Sequence, residues 1–168
     1  RELSIALSTD NIKEAAELYR KYVPTMYVIS AYFCCFLFIN AEALIHIFGG
    51  EQYMESLGAV KIMLLYPLIS TYSTLNGSVI YAKSNTTFIR NITMVLSPLG
   101  MIMVYLLVAS NCLNLGAEGL AIKVASLELL SVFIMMLHIS KFLKIKLTRY
   151  FIHMIVAPIF LLLISFGI

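Results

Sequence analysis

The chain has 168 residues, of which 61% are hydrophobic and only 12% are charged, and its mean hydropathy is +0.91. This composition excludes an ordinary soluble domain, which is nearer half apolar and a quarter charged. The formal net charge of +3 does not indicate nucleic-acid binding, because the basic residues cluster at the ends of apolar runs. Runs of about 20 apolar residues predict an all-α, multi-pass membrane helical bundle.

The first predicted element is an amphipathic helix over residues 10–22, in which Asn11 and Glu14 have capping-box spacing. This helix is too polar to span a membrane, and we expect it to lie on the membrane surface and lead into the first span. Five predicted transmembrane helices follow, with the third interrupted by Pro98 and the fifth unfinished at the last residue. Their bounds are 23–48, 57–82, 88–110, 117–139 and 150–168.

Two parts are therefore expected, a cytoplasmic amphipathic segment over residues 1–22 and a transmembrane bundle over residues 23–168. The chain begins at Arg1 rather than Met and ends inside an apolar run. We expect it to be an internal or C-terminal piece of a larger protein.

The orientation of the spans follows from the lysines and arginines between them. Loops 83–90 and 140–149 are basic, as is the segment before the first span, whereas loops 49–56 and 111–116 hold no Lys or Arg. By the positive-inside rule, the basic segments are cytoplasmic and the other two loops lie outside. The strict alternation also favours a count of five spans.

The second predicted span carries many hydroxyl groups, and most of them share one face. At about 100° per residue they fall within an arc of roughly 160°. The candidates for lining a substrate path on this arc are Ser70, Thr71, Ser73, Thr74, Ser78 and Tyr81. Asn76 falls on the opposite arc with Tyr72, and its amide is a further candidate. Two interpretations stay open, because small hydroxylated residues also allow close packing between membrane helices.

Ionisable residues inside predicted spans are costly and indicate function by default. Lys61 and Lys123 lie near the outer ends of their spans, where a lysine can extend its ammonium group to the interface. Glu128 is too deep for that, so it pairs with a cation, takes a proton or faces water. It is the candidate for coupling transport to an ion.

Chemical signatures of catalysis are missing from the sequence. It has no phosphate-binding glycine-rich loop, no nucleophile elbow and no cluster of metal ligands. We therefore expect no catalytic residues, no metal and no cofactor, and a protein that is not an enzyme.

Three stretches carry a family resemblance. They are FGGEQY (48–53), LYPLISTYSTLNGSVIYAKSNTTFIRN (65–91) and NLGAEGLAIKVASLE (114–128). In order, spacing and topology the chain resembles bacterial O-antigen (Wzx-type) polysaccharide flippases, within the superfamily that includes the MATE exporters. The resemblance covers nearly the whole chain and is more specific for the superfamily than for the substrate.

The resemblance implies a protein of about twelve helices in two lobes that alternate access to a central cavity, with this chain forming most of the C-terminal lobe. The implied substrate is an undecaprenyl-diphosphate-linked oligosaccharide, turned from the cytoplasmic to the periplasmic leaflet of the bacterial inner membrane. Lys61 or Lys123 would then meet the diphosphate, and Glu128 would respond to a proton or sodium ion. The other implied partners are the lipid bilayer and membrane proteins of glycan assembly, with no nucleic acid.

Other functions remain open from the sequence. A MATE-type drug or metabolite exporter would have a cavity richer in acidic and aromatic residues. A membrane enzyme of envelope glycan assembly would need a large outer loop, and the two predicted outer loops are short. A purely structural membrane subunit would not need the hydroxylated face.

Overall fold

The computed structural model of the protein describes residues 2–166, with side chains for residues 2–163. All regular secondary structure in this range is helical, so the predicted all-α bundle is confirmed at that level. The helices are α1 (Glu2–Ser8), α2 (Ile12–Ile39), α3 (Ala41–Phe48), α4 (Leu57–Ala82), α5 (Thr86–Val108), α6 (Gly116–Leu143) and α7 (Leu147–Phe166), with a 3₁₀ helix at Glu51–Ser56 between α3 and α4.

The amphipathic segment and the first apolar run form one continuous helix, α2, where the sequence suggested two elements. Asn11 caps it as expected, because its side chain accepts a hydrogen bond from the Glu14 backbone N–H at 3.3 Å and donates one to the Glu14 carboxylate at 2.7 Å. Pro24 lies inside the helix without ending it. The predicted amphipathic region is therefore the first part of the long helix rather than a separate surface helix.

The predicted first span, 23–48, is divided at Asn40 into α2 and α3. The Asn40 side-chain amide donates a hydrogen bond to the Phe36 carbonyl at 2.8 Å, and the Asn40 backbone N–H bonds to the same carbonyl at 3.2 Å. An asparagine that bonds the preceding turn competes with continued helix, which gives a physical reason for the break. The other predicted spans lie close to α4, α5, α6 and α7, and the last two residues of the fifth, 167–168, lie outside the described residues.

Helix α4 is central to the packing, with its most extensive interface against α6 and a second against α2. Helix α5 packs mainly on α6, and α7 packs mainly on α2. The core between them holds large side chains from several helices, among them Tyr19, Tyr27, Tyr72 and Met136. Their burial fixes which side of α4 faces inward.

Close backbone contact joins α5 to α6 at Gly119. A Cβ atom at this position would lie 3.0 Å from the Leu107 carbonyl oxygen, tighter than side chains normally approach. Small residues that allow such approach are typical of membrane helix pairs.

Three of the described helices, α2, α5 and α6, are long and apolar enough to cross a membrane. Most of the surface of α5 is not covered by the other described helices. Its exposed side chains include Met94, Val95, Met101 and Ile102. Helix α4 is of similar length but carries many hydroxyl groups and is not among the three. The fold is thus a helical bundle with three candidate membrane-spanning helices.

Candidate functional site: a polar face on helices α4, α5 and α6

The hydroxylated face of α4 points away from the core of the bundle. Thr74, Ser78 and Tyr81 are exposed, Tyr81 by 57%, and Ser70 is partly exposed. Their spacing places them on one side of the helix. The opposite side carries Tyr72, which is 0% exposed. The polarity of α4 is therefore concentrated on its exposed side, which at Ser78 and Tyr81 borders a pocket shared with Ser4, Ile5 and Ser8 of α1.

Pro67 organises hydrogen bonds at the middle of this face. Its carbonyl oxygen accepts hydrogen bonds from the Ser70 hydroxyl at 3.2 Å and the Thr71 hydroxyl at 2.7 Å. The Ser78 hydroxyl donates in the same way to the Thr74 carbonyl at 2.9 Å. A hydroxyl that donates its one proton to the helix still has lone pairs that accept hydrogen bonds. These bonds therefore leave acceptor oxygens on the exposed side.

Thr71 lies at the edge of the face, where α4 meets α2. Its hydroxyl also contacts the Ser30 hydroxyl of α2 at 3.0 Å, and Thr71 is half-buried. This contact fits the helix-packing interpretation of the hydroxyls rather than cavity lining. Ser73 is half-buried as well, so the open part of the face is carried by Ser70, Thr74, Ser78 and Tyr81.

Asn76 is separate from this face, which corrects its place among the lining candidates. It is 0% exposed, and its Oδ1 accepts a hydrogen bond of 2.6 Å from the Tyr19 hydroxyl of α2. Its Nδ2 atom has no hydrogen-bond partner among the described residues. A buried amide in contact with a neighbouring helix serves the packing of α2 on α4 and cannot meet a substrate on the open side.

A polar groove of 280 Å³ lies between α5 and α6. Its polar lining side chains are Thr93 and Ser97 of α5 and Lys123, Glu128 and Ser131 of α6. The structure thus brings Lys123 and Glu128, two residues singled out in the sequence, into one site. No ion pair joins them within the described residues, so both charged groups remain available to a ligand or to water.

Gly100 provides the space that Lys123 occupies across α5. A Cβ atom at Gly100 would lie 3.3 Å from the Lys123 Cε atom and 3.0 Å from the Leu127 Cδ1 atom. The aliphatic part of Lys123 therefore packs over this glycine, and its ammonium nitrogen would lie 3.7 Å from the same Cβ atom. Gly100 was not predicted, because a single glycine in an apolar helix does not reveal what crosses it.

Thr93, Ser97 and Ser131 were also missed from the sequence. Thr93 and Ser97 are one helical turn apart on α5, and the Ser97 hydroxyl donates to the Thr93 carbonyl at 2.8 Å. Their one-turn spacing was a usable signal for a polar edge, but it is short. Ser131 lies one turn beyond Leu127 on α6 and is buried, so only the assembled groove identifies it.

Helix α6 carries one wall of the groove and also packs along α4. Tyr66 begins the hydroxylated arc that continues through Ser70 to Tyr81. The open side of α4 and the groove on α5 and α6 are joined through α6, and together we call them the polar face.

Lys61 lies elsewhere. Its ammonium group is 3.7 Å from the Glu42 carboxylate of α3, near the start of α4, and it does not line the groove. A second, longer contact of 3.9 Å joins His46 to Glu51 nearby. Both pairs are largely exposed, so they add little stability, and Lys61 is already partnered by a carboxylate.

Within the described residues, no group of three or more histidines, cysteines or acidic residues is placed to hold a metal ion. Comparison of the chain with protein-family models, with curated proteins and with solved structures found no match.

Proposed function

We propose that the chain is part of a membrane transporter whose polar face lines the path of a polyhydroxylated, lipid-linked substrate. The observation that carries this proposal is the position of the α4 hydroxyls on the open side of the bundle, beside the groove that holds Lys123 and Glu128. An exposed helix face that met lipid would be apolar, as the Met94 and Val95 side of α5 is. A hydroxylated face instead suits water or a polar ligand.

The substrate class follows from the groups on the polar face. Hydroxyl groups both donate and accept hydrogen bonds, as sugars do, so Ser70, Thr74, Ser78 and Tyr81 suit an oligosaccharide. Lys123 supplies a cation for a phosphate group at the groove. Together with the resemblance to Wzx-type flippases, these features favour an undecaprenyl-diphosphate-linked oligosaccharide. The cycle is alternating access between a cytoplasmic and a periplasmic opening.

The proposed topology has five spans, with α4 and α7 added to the three apolar helices. Support for a common basic end comes from the 3.3 Å contact between Asn85, which precedes α5, and His138 in the last turns of α6. This contact places loop 83–90 beside the start of segment 140–149, and both are basic. By the positive-inside rule this end is cytoplasmic in the bacterial inner membrane.

Glu128 is proposed as the ion-coupling residue. It has no cationic partner among the described residues, is half-buried, and lies on the groove wall. Protonation or sodium binding would neutralise it, and that change in charge can favour one opening of the transporter over the other.

The variant Glu128→Gln tests that role. The variant keeps the shape of the side chain and removes the charge. We expect export to fall by about tenfold or more, because a typical coupling free energy corresponds to a change of that size. Glu118→Gln is the matched control, because Glu118 is exposed at the start of the same helix and does not line the groove. Unchanged export by Glu128→Gln, with the protein still in the membrane, would refute the coupling role.

The transport function itself is tested by deleting the full gene in its host and measuring two pools together. The first pool is surface glycan, and the second is lipid-linked oligosaccharide on the cytoplasmic leaflet. We expect surface glycan to be lost and the inward-facing intermediate to accumulate. Normal surface glycan in a strain without a second flippase gene would contradict the proposal and favour a drug or metabolite exporter.

A further inference from the structure

A second pocket lies at the basic end of the bundle, away from the polar face. It has a volume of 380 Å³ and is formed where the end of α4 meets the last turns of α6. Its polar lining residues are Lys83, which follows α4, Asn85, which precedes α5, and His138 and Lys141 of α6. Two lysines at the mouth of one pocket indicate an anionic ligand.

The remaining wall of this pocket is apolar. It is formed by Val79 and Ile80 of α4 and by Ile139 and Phe142 of α6. Three of these side chains are buried, and Phe142 is half-buried. Such a wall offers nothing to a small inorganic anion, but its accessible part, at Phe142, suits the acyl chain of a lipid. The pocket thus combines a cationic rim with an apolar interior.

The cationic groups are held in different ways. The Lys83 ammonium lies 2.6 Å from the Asp10 carboxylate and 4.4 Å from the centroid of the Phe142 ring. Lys141 has no ion-pair partner anywhere in residues 2–163. The His138 ring is fixed by stacking on Phe88 at 4.0 Å between centroids and by its contact with Asn85. Lys141 is therefore the open cation of the rim, and Lys83 is positioned beside it.

The surroundings strengthen the preference for negative charge. Residues 140–149 contain Lys141, Lys144, Lys146 and Arg149 and no acidic residue. Loop 83–90 adds Lys83, which pairs with Asp10, and Arg90, and the loop itself contains no acidic residue. Basic pockets between membrane helices at such an end are suited to anionic lipid headgroups.

We propose that this pocket binds the phosphate headgroup of an anionic phospholipid, with Lys141 on the phosphate, Lys83 beside it in its pair with Asp10, and the lipid's acyl chain against Phe142. The site is separate from the polar face and does not depend on the transport proposal. A lipid bound there would join the end of α4 to the end of α6.

The test uses the full protein purified in mild detergent, with native mass spectrometry of bound phosphatidylglycerol and phosphatidylcholine. A lysine near a lipid phosphate contributes a factor of about five to affinity. Lys83→Gln with Lys141→Gln together should therefore lower phosphatidylglycerol binding by about five- to twenty-fivefold, the lower figure applying if the pair with Asp10 keeps Lys83 from the phosphate. Binding of phosphatidylcholine should fall much less, because its own choline cation balances the phosphate charge. The matched control is Lys144→Gln with Lys146→Gln, which removes two lysines of the same segment that do not line the pocket.

Lys141→Gln alone is the second variant, because it leaves the Lys83–Asp10 pair intact and so protects folding; about a fivefold loss is expected. Three results would overturn the proposal. They are equal loss in the Lys144 and Lys146 control, no preference of the wild-type protein for phosphatidylglycerol, and full displacement of the lipid by millimolar inorganic phosphate. The last result would identify a free-anion site in place of a lipid site.

Discussion

The two sides of α4 carry polar groups in opposite surroundings. On the inner side, Tyr72 and Asn76 are fully buried, and Asn76 is bonded to Tyr19 of α2. On the outer side, Thr74 and Ser78 are exposed, and the Ser78 hydroxyl bonds only within its own helix. The same helix thus uses polar residues to join its neighbours on one side and to present hydrogen-bonding groups on the other. Polarity alone does not distinguish the two uses; burial and partners do.

The largest expected difference between the two sides involves a pair of tyrosines on α4. Tyr72→Ala removes a fully buried ring that lies 4.8 Å from the ring of Tyr27, and we expect the free energy of unfolding to fall by about 3–5 kcal/mol. Tyr81→Ala removes an exposed ring and should change it by no more than about 0.5 kcal/mol. Reversible unfolding in mixed micelles measures both. Equal losses would mean that the outer side is packed in the membrane.

A smaller effect is expected from the buried hydrogen bond of Asn76. Tyr19→Phe keeps the ring and removes the hydroxyl, which leaves the Asn76 side chain without a partner and should cost about 1–3 kcal/mol of unfolding free energy. Tyr22→Phe is the control on the same helix, since its hydroxyl contacts Glu2 on the exposed surface. A loss no greater than that of the control would show that Asn76 has another partner, such as bound water.

The smallest expected changes in the free energy of unfolding distinguish Thr71, at the edge of the outer side of α4, from Ser78, which is exposed on that side. Thr71→Val removes the contact with Ser30 and should cost about 0.6 kcal/mol, the average for hydrogen bonds between membrane helices. Ser78→Ala breaks no hydrogen bond to another helix and should leave the free energy of unfolding unchanged, yet it should reduce export. If export falls only in the variant that loses stability, Ser78 has no role in contacting the substrate.

Much of the fold could be predicted from the sequence, since apolar runs and polar breaks mark the helices. The predicted span 57–82 and α4 share the same bounds, because polar segments stand on both sides of the run. The break at Asn40 was missed, since a lone asparagine in an apolar run gives no periodic signal. The role of Asn76 was missed because its partner, Tyr19, lies far away in the chain and only the packed helices bring them together.

Of the polar side chains that line the groove, only Lys123 and Glu128 were predicted from the sequence. Lys123 and Glu128 stood out because charges inside apolar helices are costly. Their meeting with Thr93 and Ser97 depends on how α5 lies against α6, which Gly100 and Gly119 permit by close approach. Lys61 stood out for the same reason as Lys123, but the fold gives it Glu42 as a partner. Charge patterns identify costly residues without telling which neighbours they have.

The central claim is that the outer side of α4 meets water rather than lipid, and thiol labelling tests it most directly. Cysteines are placed one at a time at Thr74 and Ser78, and at Val95 on the apolar side of α5, in a Cys112→Ser background that removes the exposed native thiol. All three positions are exposed in the bundle, so a membrane-impermeant maleimide distinguishes water from lipid, because only the hydrated thiolate reacts. We expect the cysteines at positions 74 and 78 to react in intact membranes and the cysteine at position 95 to stay unlabelled. If all three stay unlabelled, the α4 hydroxyls do not line an aqueous path and the transport account is wrong.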